Sequence, residues 1–283
     1  FTRELALRTT AYAKLTRDLA LRTKAYSTFS RDFNSIILPF NLHTVVKSAS
    51  TLFFKKYDDI SNVLISTTTV TPTVLNIGLE TTRDHVQGLS VTRNTLKVGT
   101  DSTAPAVTQT DVLTGVKTWS PVTKSKPTSS QVDFVADSAD RIRPTAPASG
   151  QTNTLTINEG AISSYSRGTT SITLTWTKDA FGVDTTKESL WLEGRVSFTR
   201  EATTGASILV DDGVSDVADG LLNNSVTVLS HLGLGTGSVA PASNNVGLGA
   251  EVSPRVATTK SGVTISSIPM VKVIGEWVNG DIN

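Results

Sequence analysis

The sequence predicts a mainly β protein, with two tandem β-sandwich-like modules preceded by an N-terminal helical, coiled-coil-like repeat segment. Three observations carry that prediction. The stretch Leu96-Lys97-Val98-Gly99-Thr100-Asp101-Ser102-Thr103-Ala104-Pro105-Ala106 recurs as Leu232-Gly233-Leu234-Gly235-Thr236-Gly237-Ser238-Val239-Ala240-Pro241-Ala242, displaced by 136 positions. A fixed offset in an otherwise non-repetitive chain marks the tandem duplication of one module. All 20 glycines lie at Gly78 or beyond and the first proline is Pro39, so the first segment lacks both strong breakers of regular structure. After residue 60, Val, Ile and Thr crowd short apolar–polar alternations, the pattern of half-buried strands.

The first segment, 1–38, is itself repetitive. Thr2-Arg3-Glu4-Leu5-Ala6-Leu7-Arg8-Thr9 is echoed by Thr16-Arg17-Asp18-Leu19-Ala20-Leu21-Arg22-Thr23, a period of 14, and a third copy decays after Ser30-Arg31-Asp32-Phe33. Two heptads make that period, and Leu5, Tyr12, Leu15, Leu19, Tyr26, Phe29 and Phe33 fall on one helical stripe. These seven are the candidate oligomerisation residues of a stalk, in a homo-oligomer for which a trimer is one option. Leu5/Leu7 and Leu19/Leu21 also alternate as in a strand, so helix and strand both stay open. Residues 1–60 carry ten Lys/Arg and five Asp/Glu, a hydrated surplus rather than a nucleic-acid-binding tail. From 39 to 60, apolar Leu42, Val45, Val46, Ala49, Leu52 and Phe53 keep helical spacing, which predicts a connecting amphipathic helix.

The first β module is expected over 61–195. Strands are predicted at Val63–Ile65, Val70–Ile77, Thr92–Val98, Gly115–Trp119, Gln131–Ala136, Thr154–Ile157 and Ser171–Thr177, with Leu190–Gly194 closing the module. The box after Gly99 reads as a turn with an extended Ala104-Pro105-Ala106 exit. Pro121–Ser130 and Arg141–Gly150, rich in Pro, Ser, Thr and Lys, read as loops. The second module, 196–283, repeats strands near Ser207–Val210, Val226–Leu229 and Val263–Ile268. It reaches Asn283 before any counterpart of Lys187–Leu192, so its closing strand is expected from further chain or from a neighbouring subunit.

Candidate chemistry is sparse. The formal net charge is +1, cysteine is absent and His43, His85 and His231 are far apart, so disulfides and thiolate sites are excluded and no metal-binding histidine spacing exists. No apolar run approaches the ~18 residues of a membrane-spanning helix. Asp211, Asp212, Asp216 and Asp219 form the one carboxylate cluster of note, a weak Ca2+ candidate without EF-hand spacing that reads better as a solvated loop. Gly233-Leu234-Gly235-Thr236-Gly237 lacks the Lys-Ser/Thr of a phosphate loop. Trp119, Trp176, Trp191 and Trp277 could line a glycan site but read better as core. No cofactor or catalytic residue is predicted.

The order of an apolar strand, the box Gly235-Thr236-Gly237-Ser238-Val239-Ala240-Pro241-Ala242-Ser243, Leu248-Gly249-Ala250-Glu251-Val252, Arg255 and the alternating Val263–Ile268 resembles a β module of tail-fibre and baseplate-associated proteins of tailed bacterial and archaeal viruses. Glu188-Ser189-Leu190-Trp191-Leu192 resembles the strand that closes that module. The N-terminal repeats are similar to arrays in virion-associated proteins. The resemblance implies an oligomeric structural component in a tail fibre, baseplate or neck, located in the virion or outside the cell. Its partners would be its own copies, other virion proteins and a host surface glycan or protein, with no nucleic acid or membrane. The alternative expectation is a subunit of a cellular surface filament or adhesin completed by strand exchange; a glycan-degrading enzyme is a distant third.

Overall fold

The computed structural model describes residues 46–200, 209–224, 229–265 and 268–276, with Lys14 and residues 16–18, which are helical. The chain divides into two compact units, Phe1–Leu42 with Val278–Ile282 and His43–Trp277 with Asn283. The elements described here belong to the second, which is mainly β with large antiparallel sheets.

Strand β1 (Val46–Asp58) is where the sequence predicted a connecting helix. Ser50, Leu52 and Phe54 point inward at 2%, 0% and 1% exposure, while Thr51, Phe53 and Lys55 alternate on the outer face. Val46, Ala49, Leu52 and Phe53 do have helical spacing, but the same residues contain the two-residue period Ser50, Leu52, Phe54. Partners decide between the two: β10 (Asp184–Arg200) pairs along the whole of β1 on one side and β2 (Val63–Val70) along its second half on the other, and two ladders outweigh a marginal amphipathic helix.

After β3 (Thr73–Val74) the chain enters helix α1 (Asn76–Val86), where a strand through Ile77 was expected. Tyr165 explains the change. The Leu75 N–H donates to the Tyr165 carbonyl at 2.9 Å, and the Thr82 hydroxyl lies 3.0 Å from the Tyr165 phenol. Gly78 sits so close over that carbonyl that a Cβ would collide with it.

Strands β5 (Gly115–Trp119), β7 (Gln131–Val135), β8 (Thr152–Ile162) and β9 (Ser166–Lys178) closely match or extend the strands expected there, whereas β4 (Leu96–Gly99) covers only the second half of the strand expected at Thr92–Val98. Strand β6 (Thr123–Thr128) falls inside the predicted Pro121–Ser130 loop. Among the described residues it pairs only with β7, and an edge strand can hold Pro127 and polar residues that read as loop.

The strand order is β2-β1-β10-β9-β8-β4-β5, with the β6–β7 hairpin also on β10 and β3 on β9. Strand β10 joins two layers: Asp184–Lys187 pairs with β9, whereas Glu188–Arg200 pairs with β1 and residues 193–197 with β7. The layers close face to face where glycines permit it. A Cβ at Gly160 would lie 2.6 Å from Phe54, and one at Gly194 would lie 2.7 Å from Ile162. Between them Leu52, Phe54, Leu96, Val98, Val132, Phe134, Ile157, Ile162, Leu174, Leu190, Leu192 and Val196 form one core at 1% exposure or less. Because β10 runs unbroken to Arg200, the expected module boundary at 195/196 falls in the middle of a strand.

The last elements are helix α2 (Asp211–Asn223) and a separate three-stranded sheet, β11 (His231–Gly235), β12 (Glu251–Ile265) and β13 (Ile268–Gly275). Val263–Ile265 and Ile268, expected in one strand, end β12 and start β13, and Ile265 faces Ile268 across the hairpin.

Candidate assembly interface

The 136-residue offset found in the sequence reappears as geometry. Each copy runs helix, left-handed stop, strand, Gly-Thr box and returning strand. Helix α1 is followed by Gly88 at φ 82°, and α2 by its counterpart Asn224 at φ 59°; both stop the helix in the left-handed region. Strand β4 corresponds to β11, and Gly99 pairs with Gly115 as Gly235 pairs with Glu251.

Inside the box two backbone hydrogen bonds recur at the 136-residue offset. The Thr100 N–H donates to the Thr114 carbonyl at 3.0 Å, and the Thr236 N–H to the Ala250 carbonyl at 3.0 Å. Gln109 donates to Ala106 at 3.0 Å as Asn245 does to Ala242 at 3.1 Å. Even the dock of the helix on the box is kept, with a one-residue slip at the helix: Asn76 donates to Val107 at 2.8 Å and Asp211 to Ser243 at 2.7 Å. The Gly-Thr-Ala-Pro-Ala box is therefore a folded loop held by its own backbone.

In the first copy a buried ion pair clasps this loop. Glu159 on β8 and Arg167 on β9 are both 0% exposed, and Arg167 Nε donates to Glu159 Oε2 at 2.6 Å. The carboxylate also accepts the N–H groups of Leu113 (3.3 Å) and Thr114 (3.0 Å). The guanidinium donates from Nη1 to Gln109 Oε1 at 2.8 Å and from Nη2 to the Thr103 carbonyl at 3.2 Å. A buried charge is tolerable only when paired and hydrogen-bonded in this way. Gly99 belongs to the same device, since a Cβ there would run into the Glu159 carboxylate. Sequence reading missed the clasp, although it left a signal: Leu155, Ile157 and Glu159 share one strand parity, so a carboxylate occupies a position where apolar residues belong.

The second copy keeps the box and not the clasp. Strand β4 is paired on both sides, by β5 and β8; among the described residues, β11 pairs with β12 alone. Leu96 and Val98 are 0% exposed, whereas their counterparts Leu232 and Leu234 are half-buried.

The carboxylate cluster lies on α2, not in a loop. Val214, Val217, Ala218 and Leu221 make a buried stripe at helical spacing, and Asp211 and Asp212 occupy the first turn, where negative charge suits the helix dipole. Gly213 and Gly220 lie within the helix, where glycine is unfavourable and more often marks a loop. Asp211 pairs with Arg200, and Asp219 with Lys126 at 2.7 Å. Burial, then the neighbouring Asp219 and Asp212, raises the Asp216 carboxyl above the usual range. Among the described residues no three metal-ligating side chains could hold an ion together.

Helix α2 is tied to the first module by Lys124, which donates to the Leu221 carbonyl at 2.9 Å and to Asn224 Oδ1 at 2.8 Å. Burial brings this ammonium down to about 8. His85, 1% exposed, has its ring Nε2 3.0 Å from the Val91 carbonyl, and burial lowers it below the usual histidine range.

Trp119 is core at 2% exposure. Trp191 and Trp176 are half-buried on outer faces, each covered by a lysine, Lys55 at 5.0 Å and Lys187 at 4.8 Å. Trp277 and the seven candidate oligomerisation residues, Leu5, Tyr12, Leu15, Leu19, Tyr26, Phe29 and Phe33, lie outside the described residues. No protein-family model matches the chain, and no curated protein or solved structure matches it either.

Proposed function

We propose that the chain is a virion structural protein of a tailed virus, a tail-fibre, baseplate or neck component that works by assembly with its own copies and other virion proteins. At the outside of a particle it would also meet a host surface glycan or protein. The observation that carries this reading is the duplicated helix–strand–box unit, fully paired in its first copy and, among the described residues, paired on one side of β11 in its second. A half-paired strand is a template for another chain. The box and the alternation of Val263–Ile265 are also the residues that resemble tail-associated modules. On this reading the protein carries no reaction. The same edge favours a second reading, a cellular surface filament or adhesin subunit completed by strand exchange.

Antibodies against residues 46–200 separate the two in electron micrographs of infected cells and purified particles. Gold at tails, fibres or necks is the expected result. Gold along cell-surface filaments with bare particles would replace this reading by the second.

A further inference from the structure

We propose that the outer edge of β11 docks an extended segment of a partner polypeptide, a β-ribbon that carries a glutamate on its first strand and an arginine on its second. The proposal rests on the assembly reading above and names the chemistry of the partner.

The first copy shows what covers this edge. There β8 lies antiparallel along β4, Leu96 opposite Ile162 and Gly99 opposite Glu159, and the Glu159 carboxylate takes the N–H groups of Leu113 and Thr114. The counterparts of those two donors are Gly249 and Ala250. Their carbonyls are used inside the box, by Gly237 at 3.0 Å and Thr236 at 3.0 Å. Both residues are exposed, and among the described residues their N–H groups reach no acceptor within the protein, so this pair of donors is open to an incoming carboxylate. Gly235 stands where Gly99 makes room for the carboxylate, and Asn245 stands where Gln109 receives the arginine. Leu232 and Leu234, half-buried, stand where Leu96 and Val98 are fully covered. Apolar flank, glycine and paired donors thus recur together.

A second copy of this chain is not the donor. Its own Glu–Arg ribbon, β8–β9, is already held between β4 and β10, and lending it out would strip its first module of the clasp. The segment that fits is a separate one with the same pattern: apolar, polar, Glu, Gly, small, apolar, then a turn and Arg eight residues after the Glu, as in Ile157–Arg167.

The test adds a synthetic peptide of residues 152–178 to the full chain and reads binding by calorimetry and amide hydrogen exchange. Expected are saturable binding and slowed exchange confined to 231–235 and 249–250. Glu159→Ala in the peptide should weaken binding by about tenfold or more, since a charge-assisted pair of hydrogen bonds is lost. Ser171→Ala in the peptide should bind as the parent does. The proposal is overturned by no saturable binding, by equal binding of the Glu159→Ala peptide, or by protection at β4 instead. It is equally overturned if 231–235 become protected in the chain alone as its concentration rises, which would make a second copy the occupant. Labelling away from virions would sink the virion reading and leave this binding result standing.

Discussion

Replacing Glu159 by Ala is expected to destabilise the first module by about 3–5 kcal/mol, the usual cost of removing one partner of a buried pair. The carboxylate neutralises Arg167, which has no access to water, and holds two backbone N–H groups of the box. Without it a buried guanidinium is left with neutral acceptors and the more exposed Asp101 at 3.5 Å. Arg167→Met alone should cost a similar amount by stranding the carboxylate. Glu159→Ala with Arg167→Met should cost less than the two single changes together, because neither charge is then left unpaired. Urea denaturation of the four proteins closes this cycle. Additive costs would contradict the clasp.

The second large effect separates two neighbouring phenylalanines. Phe54→Ala should cost about 3–5 kcal/mol, as large-to-small changes at buried aromatics do. Its ring is 1% exposed and fills the gap over Gly160 between the layers. Phe53→Ala should cost roughly 1 kcal/mol or less, since that ring lies on the outer face with the Arg195 guanidinium 5.7 Å away. The helix expected from spacing would have buried Phe53 beside Leu52. Chemical denaturation of both variants decides the matter: a wide gap fits β1, and equal costs or a reversed order contradict its register.

These two sites also mark how far the sequence could be read. Strands with clean alternation and turn-rich flanks, such as Ile172-Thr173-Leu174-Thr175-Trp176, were legible because one face is core and the other is not: Ile172 and Leu174 are 8% and 0% exposed. The duplication was legible from its Gly, Thr, Ala and Pro residues, whose backbone geometry does not depend on distant partners. Strand β1 was not, because its residues satisfy both periods and the choice belongs to β10, more than a hundred residues away. Helices α1 and α2 were hidden by Gly78, Gly213 and Gly220, glycines that usually punctuate loops. In α1 the glycine is there for close packing on Tyr165, not for a turn. The Glu159–Arg167 clasp was written only as one polar residue at the wrong parity, and its meaning depends on a loop 45 residues earlier in the chain.

That the chain works by assembling is tested most directly by its mass in solution, measured by light scattering with and without residues 1–38. The account predicts a discrete oligomer for the intact chain and a monomer once the 14-residue repeats are removed. Monomers in both cases would contradict it.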